Sequence, residues 1–153
     1  MIKDIRMVET APVNGMSVRG VVAFENIANS MGESYGEVIG YMMRNGIQPN
    51  GPPFAFYHSY DDRSTDMEAG FPCAEVMEGE GRVKATTLPG GKVVAAMHIG
   101  PYDKLAESYN EMLRWMSENS LRPRTEMWEV YFDSLDEVND PSQLVTELYW
   151  PYD

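Results

Sequence analysis

Residues 33–49 read ESYGEVIGYMMRNGIQP, and residues 107–123 read ESYNEMLRWMSENSLRP. Aligned without a gap, seven of the seventeen positions are identical: Glu33/Glu107, Ser34/Ser108, Tyr35/Tyr109, Glu37/Glu111, Met42/Met116, Asn45/Asn119 and Pro49/Pro123. Val38/Met112, Ile39/Leu113, Tyr41/Trp115 and Ile47/Leu121 exchange one apolar type for another. A self-match of this length means two copies of one supersecondary unit, not a solenoid. Whatever the chain folds into, it folds into it twice.

The pattern within each copy supplies the unit. Met16 to Phe24 and Lys92 to Ile99 are rich in Val, Ala and Met and read as strands. Helices follow: Ile27, Met31, Tyr35, Val38 and Met42 fall at helical spacing in the first copy, as do Leu105, Tyr109, Met112 and Met116 in the second. Gly46 is placed to stop the first helix in the left-handed region, and Pro49 and Pro123 lie beyond both ends. Two strands then follow each helix, Phe54–Tyr60 with Glu68–Cys73 and Met127–Phe132 with Leu144–Trp150, separated by acidic turns at 61–66 and 133–140. The expected fold is α+β, made of duplicated β-α-β-β repeats of about 1–80 and 81–153. A pseudo-twofold axis would join them into an antiparallel sheet with two helices on one face and a ligand cleft on the other. Gly90 and Gly91, between apolar runs, are read as a hairpin turn.

Composition narrows the function. The 153 residues suit a single domain with a proper core, 43% apolar and 11% aromatic. A net charge of −12 with no basic run argues against direct nucleic-acid binding, which needs clustered Lys and Arg. No stretch has the apolar length of a membrane span, and the opening MIKDIRMVET lacks the apolar core of a secretion signal, so a cytoplasmic location is expected. Cys73 is the only cysteine and reads as a structural thiol; His58 and His98 stand apart without metal-ligand spacing. Neither a metal nor a cofactor is called for.

MWEVYFDS, residues 127–134, carries an acid in an otherwise apolar strand. Alternation puts Trp128, Val130 and Phe132 on one face and Glu129 with Tyr131 on the other; in 145–150 it separates Thr146, Leu148 and Trp150 from Val145, Glu147 and Tyr149. The larger apolar sets suit packing under the helices, which leaves Glu129, Tyr131, Glu147 and Tyr149 on the far face. The first copy has Ala55 where the second has Glu129, and Gly70 where it has Tyr149. With Tyr57 added, this predicts a lopsided aromatic pocket charged by Glu129.

HIGPYDKLAESYNEMLRWMSENSLRP, then WEVYFDS, then TELYWPYD resembles the GyrI-like small-molecule-binding domain, the effector-binding domain of some multidrug-responsive transcription activators. The resemblance covers essentially the whole chain, with MEAGFPC carrying it in the first half. It implies the duplicated fold, and amphipathic, often cationic ligands held by a buried glutamate at Glu129, with Glu147 and Tyr149 at further pocket positions. Tyr131, Tyr57 and His98, which ends a strand before Gly100-Pro101-Tyr102, complete the candidate ligand-binding set. Regulators of the family carry a helix-turn-helix segment, for which no room precedes Met16; a stand-alone binding domain is expected.

The resemblance implies two further functions. Some stand-alone members hydrolyse strained, cyclopropane-containing electrophiles, which would make Glu129 the catalytic base. The family's naming member inhibits DNA gyrase, which makes a protein partner the third reading. A solvated surface accounts for acids scattered through DDRSTD and DSLDEVND, and ranks that reading last.

Overall fold

A computed structural model describes residues 1–75, 77–132 and 140–153. In chain order the elements are β1 (Ile2–Thr10), β2 (Val13–Ala23), α1 (Ile27–Arg44), β3 (Phe54–Tyr60), β4 (Ser64–Pro72), β5 (Val83–Leu88), β6 (Gly91–Ile99), α2 (Leu105–Glu118), β7 (Met127–Tyr131) and β8 (Val145–Pro151). The acidic turn read at 133–140 lies, apart from Asp140, outside the described residues. The fold is α+β, and the sheet pairings described below are antiparallel.

The chain divides into two units, Ala11–Gly90 and a second made of Met1–Thr10 with Gly91–Asp153. In the first, β2-α1-β3-β4 is the expected repeat, and β5 joins it as an extra edge strand on β2, giving the order β3-β4-β2-β5. In the second, β6-α2-β7-β8 is the repeat and β1 is the extra strand on β6, giving β7-β8-β6-β1. The boundary thus differs from the expected one: the first ten residues pair with the second repeat. The Gly90–Gly91 hairpin is also corrected, since β5 pairs with β2 while β6 pairs with β1 and β8.

Apolar spacing explains both helices. Val38, Tyr41 and Met42 of α1 are buried against Met16 and Val18 of β2. Met112 and Met116 of α2 are buried against Val94, Ala96 and Leu148. Both helices end alike: Gly46 (φ 66°) and Ser120 (φ 58°) take the left-handed conformation, and Ile47 N and Leu121 N donate back to Met42 O (2.8 Å) and Met116 O (2.9 Å). This is the Schellman closure, which returns a hydrogen bond to an otherwise orphaned carbonyl.

Candidate functional site

Register fixes which side chains share a face, because residues directly opposite in a ladder point the same way. Glu129 stands across from Leu148, and Leu148 across from Ala96, both in the core under α2. Tyr131 stands across from Thr146, which stands across from His98. Glu129 and Tyr131 therefore lie on the α2 side of their sheet. Trp128, Val130, Glu147 and Tyr149 lie on the other side.

This corrects the expected grouping. Thr146, Leu148 and Trp150 do face α2, but the phase of β7 is the reverse of that inferred from the size of its apolar residues. The first unit repeats the arrangement: Ala55 and Tyr57 share a face with Met67 and Ala69, whereas Phe54 and Phe56 share the opposite one with Glu68 and Gly70. The inference failed because both faces are dry. Phe54, Phe56 and Trp128 are buried although they point away from the helices, so apolar character does not mark the helix side. Gly70 is not vacant pocket space either: a Cβ there would sit 1.9 Å from Met16 O, so β2's backbone occupies the room.

The candidates consequently form two groups. On the α2 side, Glu129 is 3% exposed and accepts a hydrogen bond from the Tyr131 hydroxyl. Burial pushes the Glu129 carboxyl up to about 7, and the Tyr131 bond offsets part of that rise. The Tyr102 ring, in the short turn leading into α2, meets Tyr131 edge-on at 5.7 Å. Thr146 Oγ1, across the ladder from Tyr131, is fully buried and makes no hydrogen bond. An acid that changes charge near neutrality, two phenols and a spare hydroxyl thus line one side of β7 and β8. Tyr102 and Thr146 were missed as site residues. Tyr102 was in plain view in the Gly-Pro-Tyr motif, whereas only register identifies Thr146.

On the other side, the Tyr149 hydroxyl donates to Glu147, and its ring stacks on Trp128 at 5.7 Å and 14°. Burial, then the Glu147 contact, raises the Tyr149 pKa, so this phenol stays protonated. The first unit places Glu68 at the position of Glu147, buried and accepting from Ser17 Oγ (2.8 Å) while lying 2.6 Å from His58 Nε2. Tyr57, the remaining tyrosine of the set, is on the α1 side of β3, across from Met67.

His98 is fully buried with both ring nitrogens engaged, Nδ1 with Ser108 Oγ at 2.6 Å and Nε2 with Pro101 O at 3.0 Å. It fastens β6 to α2 and to the turn before it. Cys73 is buried, lies 3.2 Å from Glu75 O, and has its pKa raised chiefly by burial. Among the described residues no group of three or more His, Cys, Asp or Glu side chains could hold a metal, and no helix is long and apolar enough to cross a membrane.

The duplicated α+β fold and the family match agree on the class of domain. The sequence profile of the GyrI-like small-molecule-binding domain matches residues 3–153, and the chain belongs to that family. Among solved structures, the EcmrR C-terminal domain superposes with a TM-score of 0.85 at 21% identity, covering 98% of this chain and 97% of that one. In the EcmrR–DNA complex the chain spans 57% of the protein it matches. A hydrolase from Listeria innocua gives a TM-score of 0.69 at 17% identity, covering 97% and 91%. SAV2435 bound to tetraphenylphosphonium gives 0.68 at 10% identity, covering 99% and 94%. At these identities the likeness establishes the shared fold. No curated protein matches the sequence.

Proposed function

We propose that this protein binds lipophilic cations, with Glu129 as the charge that selects them. The observation that carries the reading is a carboxyl 3% exposed whose burial holds its pKa near 7 and whose hydrogen bond comes from a neutral phenol, Tyr131. Such a group is costly to ionise alone and regains that cost when a desolvated cation arrives. Tyr131 fixes the carboxylate, and Tyr131 and Tyr102 offer ring faces, each adding about 0.5–2 kcal/mol to a nearby cation. Charge and stacking do not demand one shape, so selectivity is broad and affinity micromolar. The likeness to a tetraphenylphosphonium complex agrees with this ligand class. Titration with rhodamine 6G tests it: Glu129→Gln should weaken binding at least tenfold while the protein stays folded, and unchanged affinity would reject the assignment.

A second reading has an observation of its own. A carboxyl with a pKa near 7 is matched to general-base work at neutral pH. Glu129 would take a proton from water as its oxygen attacks a strained ring carbon, the cleaved C–C bond leaving its electrons on the conjugated acceptor. The likeness to the Listeria hydrolase agrees with it. Incubation with a cyclopropane-bearing electrophile, followed by mass spectrometry, decides: no turnover above the Glu129→Gln control removes this reading and leaves binding intact.

A further inference from the structure

One position is filled in the second unit and open in the first. Glu68 and Glu147 occupy equivalent places in β4 and β8, so Met67 corresponds to Thr146, and their ladder partners Gly20 and His98 correspond in turn. Ala23 and Pro101, which precede the helical turns, then correspond too, and their backbones agree (φ −63°, ψ 144° against φ −67°, ψ 154°). α1 has 18 residues against 14 in α2, about one turn more. Ser108 therefore has two counterparts: Ser34 by the ungapped repeat, and Ser30 by its distance from Gly20.

In the second unit the His98 ring ties β6 to the turn and to α2. Pro101 O only accepts, so Nε2 donates to it (3.0 Å), and in the neutral ring Nδ1 accepts from the Ser108 hydroxyl (2.6 Å). The first unit keeps these partners and lacks the ring. Gly20 sits in unbroken β2–β4 pairing, outside the left-handed region, and a Cβ there would meet nothing within 4 Å. No bulge, turn or tight backbone contact requires this glycine, in contrast to Gly70. A glycine inside a strand weakens it, and such a residue often marks a place where a ligand approaches the backbone.

Beside Gly20 runs a groove of about 280 Å³, lined by residues 18–23 of β2, by Met67, and by Ser30, Met31 and Ser34 of α1. Gly20, Ala23 and both serines, the counterparts of His98, Pro101 and Ser108, thus meet in one cavity. Ser34 is buried there, 4% exposed. Arg19 and Arg82 also line the groove, but each is already paired, with Asp66 (3.0 Å) and Glu37 (3.1 Å), so a neutral occupant is favoured.

We infer that this groove binds a neutral azole, an imidazole-type ring with one N–H and one bare nitrogen, seated where the His98 ring lies in the sister unit. The N–H donates to Ala23 O, and the bare nitrogen accepts from Ser30 or Ser34. The groove exceeds a single five-membered ring, and Met31 and Met67 line the remainder, so a fused or attached aromatic ring adds contact with their thioethers. Glu129 belongs to the other unit and is proposed to take a cation, so the two ligands differ in charge.

The probe is benzimidazole, added to the full-length protein at pH 8, where the ring is neutral, and read by amide chemical shifts. Shifts should map to residues 18–23 and 30–34. Indole lacks the bare nitrogen and 1-methylbenzimidazole lacks the N–H; each should bind about fivefold more weakly, the worth of one hydrogen bond. Gly20→His supplies the ring from the chain itself and should lower benzimidazole affinity at least tenfold, with rhodamine 6G affinity unchanged. The double variant Ser30→Ala with Ser34→Ala should no longer distinguish benzimidazole from indole. Absence of shifts at millimolar benzimidazole, shifts confined to β7 and β8, equal wild-type affinity for indole and benzimidazole, or undiminished binding in Gly20→His would each overturn the inference.

Discussion

Glu129 faces Leu148 directly across the β7–β8 ladder, so a titratable acid shares a sheet face with the apolar core beneath α2. Its neutral form suits that position, and its ionised form is at a disadvantage of roughly 3 kcal/mol, from a pKa moved from 4.5 to about 7. A group whose folded pKa is raised binds more protons folded than unfolded, so its contribution to stability falls as pH rises from about 4.5 to about 7. Chemical denaturation at pH 5 and pH 8 should therefore show a drop in stability that Glu129→Gln largely removes. The same drop in both proteins would place the carboxyl in solvent.

Tyr131→Phe keeps the ring and removes the hydroxyl that donates to Glu129. That bond is what opposes the rise in the carboxyl pKa, so its loss should move the titration midpoint further up. NMR titration of the Glu129 side-chain carboxyl carbon checks this, and a midpoint that falls would mean the hydroxyl acts otherwise.

His98 was expected among the ligand residues, and its geometry argues for a fastening role. Ser108→Ala leaves a buried ring nitrogen without its partner, which costs about 1–3 kcal/mol. Thermal denaturation should show that loss, with dye affinity changed less than twofold. A tenfold loss of affinity in folded protein would return His98 to the ligand set.

Ser120 repeats in α2 the left-handed closure that Gly46 makes in α1, with a side chain that disfavours it. Ser120→Gly should stabilise the protein by about 0.5–1 kcal/mol, the relief of the αL strain less the entropy glycine adds to the unfolded chain. That amounts to a rise of roughly 1–4 °C in Tm. A lower Tm would show that Ser120 earns its place by contacts beyond its backbone.

The duplication, both helices and six strands were legible because each copy repeats the same helical and alternating patterns. β1 was not, since a bulge between Lys3 and Arg6, with Asp4 at φ 58°, breaks its alternation. β5 is a six-residue edge strand whose VKATTL has no apolar face to detect. Glu129 was legible as an acid out of place, yet its face was not. Alternation sorts residues within a strand, and only ladder register relates one strand to the next. With Trp128 and Leu148 both buried on opposite faces, no apolar signal could supply that phase.

Glu129 is protonated in the empty protein below about pH 7 and ionised when a cation is bound. Calorimetric titration with tetraphenylphosphonium at pH 6, in buffers of different ionisation enthalpy, measures the protons released on binding. The wild type should release close to one proton and Glu129→Gln none, with affinity rising about tenfold for each pH unit gained below 7. Binding without proton release, and with the same affinity at pH 5.5 and pH 8, would contradict it.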